Sequence, residues 1–147
     1  MSKATSEDAQ LILRLYELRT EPTMRKARSY IVGEFWPQSA ADLLTVATGF
    51  GSPENAYWRQ VISYWEMAAS FVLRGALSEE LFADSAGELI FIYAKFSPLL
   101  DKLREVSPTA FSKMEEFVNS SKEYQGRVAN AKKSIAQLSA TKAAKAS

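Results

Sequence analysis

The side chains here that could do chemistry are carboxylates, arginines, lysines, tyrosines and serines, because the chain contains no histidine and no cysteine. That absence removes the commonest general base and metal ligand, along with thiolate nucleophiles and disulfides. A serine–histidine triad and a zinc site of nitrogen and sulfur ligands are both excluded. Acid–base work would need a carboxylate moved off its ordinary pKa by burial or a charged neighbour. Glu66 is the best placed, lying with Arg59, Ser63 and Ser70 on a narrow polar stripe of an otherwise apolar segment. A partly buried acid there would suit proton transfer or ligand recognition. The plainer reading is a solvated stripe, or an ion pair with an arginine on a neighbouring helix.

Glu88 comes next, with Lys95 two helical turns further on. If the two segments pack side by side, Glu66 and Glu88 could approach one another, and facing carboxylates can hold a divalent cation. Helical-bundle carboxylate sites normally add histidine from Glu-x-x-His motifs, so neither metal nor cofactor is expected. Aromatics supply a different chemistry: Trp58, Tyr64, Trp65, Phe91, Tyr93 and Phe96 could line an apolar pocket or simply be core. The candidate ligand-binding set is therefore Arg59, Glu66, Glu88, Trp58, Trp65 and Tyr93, with no catalytic residue assigned. Arg25, Lys26 and Arg28 could attract an anion or an acidic partner, or form a solvated helix face. Gly49-Phe50-Gly51 lacks the spacing of a phosphate-binding loop.

The elements that must position these side chains all read as helical. Thr5 with Asp8 has capping-box spacing, and Leu11, Leu15 and Leu18 recur at helical period until Pro22 interrupts. Met24, Ala27, Ile31 and Phe35 give a second inner face, and Ser39 with Asp42 opens a short third helix. Ser52-Pro53-Glu54 is a strong start for a long helix to Arg74, with Gly75 as its stop. So few of its positions are polar that it must be central. Ser78-Glu79-Glu80 starts a short helix, and Ser85 with Glu88 offers another capping box. The run from Leu89 continues its period through Leu103 with a break near Pro98, and Ser107-Pro108 repeats a capped start. Beyond Ser120 only Val128, Ala131, Ile135 and Leu138 keep a period, and Thr141 to Ser147 reads as frayed.

These signals predict an all-α fold, an irregular bundle of about six or seven helices around a central helix near residues 53–74. Residues 1–121 form a single helical domain and 122–147 a basic tail, helical or frayed. The tail holds six basic residues and one acid (Glu123), against a formal net charge of +1 for the whole chain. It could touch nucleic acid, but with Tyr124 as its one aromatic it lacks stacking platforms, so nucleic acid is not expected. The polar N-terminus does not read as a signal peptide and the apolar runs are too short to span a bilayer, so the cytoplasm is expected and a membrane is not.

Several stretches resemble a known family. Leu15-Tyr16-Glu17-Leu18-Arg19, Arg25-Lys26-Ala27-Arg28 and Asn55-Ala56-Tyr57-Trp58-Arg59 carry the likeness. So do Tyr64-Trp65-Glu66-Met67-Ala68-Ala69-Ser70, Gly75-Ala76-Leu77, Phe82 through Glu88, Pro98 and Leu103-Arg104-Glu105. Over roughly Ala9 to Val118 the chain resembles the DUF4760-like small helical proteins of bacteria, known only as a domain of unknown function. The resemblance implies a small helical fold and supplies no established activity. The leading functional expectation is a non-enzymatic interaction or scaffold protein whose partner is another protein or a second copy of itself. The alternatives are a binder of a small apolar molecule or lipid in an aromatic-lined interhelical pocket, and, last, a carboxylate-based enzyme.

Overall fold

In the computed structural model, which describes residues 3–146, every regular element is a helix. Helix α1 (Ser6–Thr20) starts from a true capping box: the Thr5 hydroxyl accepts from the Asp8 amide while the Asp8 carboxylate accepts from the Thr5 amide. The same carboxylate accepts from the Ser78 amide at 2.9 Å, tying the start of α1 to a loop seventy residues on. Pro22 ends α1 and opens α2 (Pro22–Arg28), whose cap is the Glu21 carboxylate on the Met24 amide. The chain then widens into a π turn, Ser29–Glu34, where Phe35 N–H donates to Tyr30 C=O. Met24, Ala27, Ile31 and Phe35 all face inward, as their spacing requires.

Ser39 caps α3 (Ala40–Ala47) and Ser52 caps α4 (Pro53–Leu73), both through hydroxyls accepting from an amide three residues later. Helix α4 is the axis of the bundle: Trp58, Val61, Tyr64, Trp65, Ala68, Ala69 and Val72 are buried, and α2, α3 and α8 pack on it. Gly75 follows at φ +79°, the left-handed geometry that makes it an effective stop. Ser78 caps α5 (Glu79–Asp84). Helix α6 (Gly87–Phe96) passes through a single 3-10 turn at Ser97–Leu99, where Pro98 breaks the ladder, into α7 (Leu100–Val106). Leu89–Tyr93 is helical despite its strand-forming composition.

Two expected starts are wrong. Ser85 and Glu88 do not form a capping box: the N-cap of α6 is Ala86 with no side-chain bond, the Ser85 hydroxyl donates to Phe82 C=O, and the Glu88 carboxylate goes to arginines. Ser107-Pro108 opens a turn rather than a helix, and α8 (Ser112–Val118) begins only after Phe111. In the tail, α9 (Lys122–Ala146) is helical through the stretch read as frayed, while Ser147 lies outside the described residues. Tyr124 and Val128 are buried and Ala131 and Ile135 half-buried as α9 runs along α6, whereas Leu138 is exposed.

Candidate functional site

Glu88 sits where α1, α2, α4 and α6 meet. Its carboxylate accepts from Arg28 Nη2 at 2.6 Å and Arg28 Nε at 3.0 Å, from Arg19 Nη2 at 3.3 Å, and from Trp65 Nε1 at 3.4 Å. Arg28 also donates through Nη1 to the Arg19 carbonyl, one of the last carbonyls of α1. The bond to Glu88 keeps Arg28 charged above its ordinary range, with burial pulling the other way. Arg19 lies over the Trp65 ring at 5.3 Å. Glu88 is thus a clamp. Its partners are the two arginines and Trp65, and Glu66, engaged on α8, is not brought against it.

Glu66 is engaged differently. Its carboxylate accepts from the Met114 amide at 2.7 Å and the Lys113 amide at 3.2 Å, so it caps α8 from another helix. An anion at a helix N-terminus satisfies orphan amides and meets the positive end of the dipole. Arg59 is exposed, donates through Nε to Asn55 Oδ1, and stands 6.0 Å from the Phe50 ring. Tyr93 donates to Glu115, which also pairs with Arg104, joining α6, α7 and α8. Among the described residues no group of three or more acids could hold a metal ion.

Two further polar groups are buried, Asn55, which was not a candidate, and Lys95, which was noted beside Glu88 but without its role. Asn55, fully buried, donates to the Val46 and Ala47 carbonyls, satisfying the end of α3 from the start of α4. Lys95 Nζ donates to the Ile31 carbonyl at 2.8 Å and the Val32 carbonyl at 3.3 Å in the π turn, and sits 4.0 Å from the Trp36 ring. Glu88 and Lys95 therefore grip the α2 segment from opposite ends of α6. A lysine inside the apolar run Leu89–Phe96 was the available signal for the second grip.

Burial pushes the Lys95 pKa down to about 7, and the nearby Lys142 charge adds to the effect. Between there and 10.5 the unfolded chain holds a proton that the folded chain has released, so stability should rise with pH across that window. Below it both states are protonated and this contribution is flat. Tyr64 and Tyr93, pushed up by burial from 10.0 to about 12, act oppositely above pH 10, where the unfolded phenols ionise first and stability falls. Urea midpoints measured from pH 6 to 9.5 should climb for the wild type and stay level for Lys95→Met. Equal slopes in the two proteins would show that another group drives the change.

Three of the candidate side chains meet at an open apolar cleft. Trp58 and Glu66 line it with Phe50, Ile62, Val106 and Phe111, enclosing about 310 Å³, and Arg59 flanks it through its contact with Phe50. Phe50 is 79% exposed and Val106 57% exposed. The turn that carries Phe50 is set by glycines. Gly51 has φ +97°, and a Cβ on Gly49 would lie 2.4 Å from the Thr45 carbonyl oxygen. Trp65 and Tyr93 do not reach this cleft. Trp65 borders a cavity of about 30 Å³, room for little more than a water. Trp58 is the core side of the cleft, edge-on to Phe96 at 5.0 Å.

Fold and sites together define a small all-helical domain whose interior polar groups join helices and which opens an apolar cleft to solvent. The chain belongs to the family described as Domain of unknown function (DUF4760), whose model matches residues 4–121. Helix α9 begins just beyond the matched residues. No curated protein and no solved structure matches the chain.

Proposed function

We propose that this is a non-enzymatic interaction protein that docks an apolar surface of a protein partner, a second copy of this chain in the simplest case, in the cleft beneath Phe50. The carrying observation is the exposure of Phe50 and Val106, from two different elements, on the rim of one cleft. A lone exposed apolar residue is ordinary, but exposed apolar groups gathered at a concavity mark interaction sites. The acids best placed for chemistry support the same reading, since Glu66 holds two amides of α8 and Glu88 holds two arginines. The small-molecule alternative draws on the same cleft, whose 310 Å³ lies at the lower edge of ligand pockets, roughly 300–1,000 Å³. No described helix is long and apolar enough to cross a membrane.

Light scattering across a concentration series tests the proposal. The wild type should approach twice the 16.4 kDa chain mass, and Phe50→Ser should return it toward the monomer at the same concentration. A wild type that stays at 16.4 kDa throughout rules out self-association. A dimer indifferent to both Phe50→Ser and Val106→Ser places the contact elsewhere.

A further inference from the structure

On the opposite functional theme, charge, one face of α2 continues into the π turn as Arg25, Arg28, Ser29 and Val32. With Glu88 these line an open cleft of about 330 Å³. Arg28 cannot swing away, because its Nε and Nη2 hold Glu88 and its Nη1 holds the Arg19 carbonyl. Two of its five N–H donors are left over. Arg19 reaches the same carboxylate from α1, and its buried Nε–H has no partner. Two guanidiniums therefore hold one carboxylate, and a third, Arg25, lines the same cleft. Of the acids nearest them in the chain, Glu17 pairs with Arg14, while Glu21 caps α2 and keeps its negative charge. With Glu21 and Glu88 counted against the three arginines the region keeps an excess of one positive charge, and Arg25 and Ser29 are both exposed at the cleft.

We propose that this cleft binds a phosphate group of a soluble small molecule, with Arg25 and Ser29 as its ligating side chains and Arg28, locked by Glu88, as a fixed cationic wall. A phosphate monoester carries close to two negative charges at neutral pH and three acceptor oxygens, which suit a cleft of net positive charge and its planar donors. Val32 offers the apolar contact for the organic portion. The site is independent of the Phe50 cleft, and either can fail without the other.

The test is a titration of the full chain with inorganic phosphate at fixed ionic strength, followed by ¹H–¹⁵N NMR at the arginine Nε–H groups and backbone amides. Saturable shifts are expected at Arg28 Nε–H and the Ser29 amide. Arg25→Gln should weaken binding about tenfold or more, losing one charge-assisted contact. Lys26→Gln, a charge change on the same helix that does not line the cleft, should leave it within about twofold. Both positions are exposed, so neither variant threatens the fold. Shifts that never saturate, or equal losses in the two variants, would reduce the effect to general charge and overturn the site. Sedimentation with vesicles containing phosphatidic acid separates the two sources of such a group. No sedimentation supports a soluble ligand, whereas sedimentation abolished by Arg25→Gln would overturn that assignment in favour of a lipid headgroup.

Discussion

Glu88→Ala should lower the stability of this protein by about 3–5 kcal/mol, the range for removing one partner of a buried ion pair. The side chain of Glu88 is 10% exposed, while those of Arg19 and Arg28 are 19% and 26% exposed. Deleting the carboxylate leaves two guanidiniums facing each other in a poorly solvated junction, with the Trp65 N–H unpaired. Part of the loss will be recovered because the arginines retain some access to water, which favours the lower end of the range. For a chain of this length that corresponds to a fall in melting temperature of roughly 6–12 °C. Glu88→Gln, which keeps one acceptor oxygen and the side-chain volume, should fall between the wild type and the alanine variant. The double variant Glu88→Leu with Arg28→Met should recover part of the loss seen in Glu88→Ala, since it removes one of the two stranded charges and leaves only Arg19 without its carboxylate. Urea unfolding with an unchanged slope would read these differences directly. A loss under about 1 kcal/mol for Glu88→Ala would mean that solvent screens the cluster as it does a surface pair.

The same residue shows where sequence reading stops. Thr5, Ser39, Ser52 and Ser78 were legible as caps because a cap is a local contract between a hydroxyl and an amide three residues on. Ser85 and Glu88 have the same spacing, but two arginines sixty and more residues upstream outcompete the local amide for the carboxylate. A charge-assisted bond in a buried junction is stronger than a solvent-exposed capping bond. Helix α8 failed in the mirror sense: its cap is Glu66, on another helix, so no nearby residue announced where it would begin. Periodicity located the core faces of α2, α4 and α6 because burial follows the helical repeat. It could not show that Lys95 would turn inward to the π-turn carbonyls, since those acceptors exist only once the turn has widened. Phe50 was visible as an aromatic between two glycines. Its meaning depended on Val106, which only the tertiary fold brings to the same cleft.

A second large effect is expected at Phe111, where the sign of a comparison matters more than its size. Phe111 is the described non-glycine residue with positive φ, at +62°, and it is fully buried. Its ring packs 5.8 Å from Trp58 and 6.3 Å from Phe96, and it forms part of the lining of the Phe50 cleft. The left-handed backbone here reverses the chain between the Ser107 turn and α8, and Arg104 Nε fixes it by donating to the Ala110 carbonyl. For a bulky residue that conformation costs about 1–2 kcal/mol, so packing of the ring must outweigh it. Phe111→Ala should cost about 3–5 kcal/mol through lost burial and the cavity left behind. Phe111→Gly loses the same ring but relieves the left-handed strain. It should therefore be about 1 kcal/mol more stable than Phe111→Ala, reversing the ordinary penalty for glycine of about 0.5–1 kcal/mol. Paired urea midpoints decide it. Glycine below alanine would show that the ring alone imposes the turn, which then relaxes to an ordinary backbone once the ring is gone. Glycine above alanine would show that the turn is held by its own bonds, so the strain is built into the wall of the cleft.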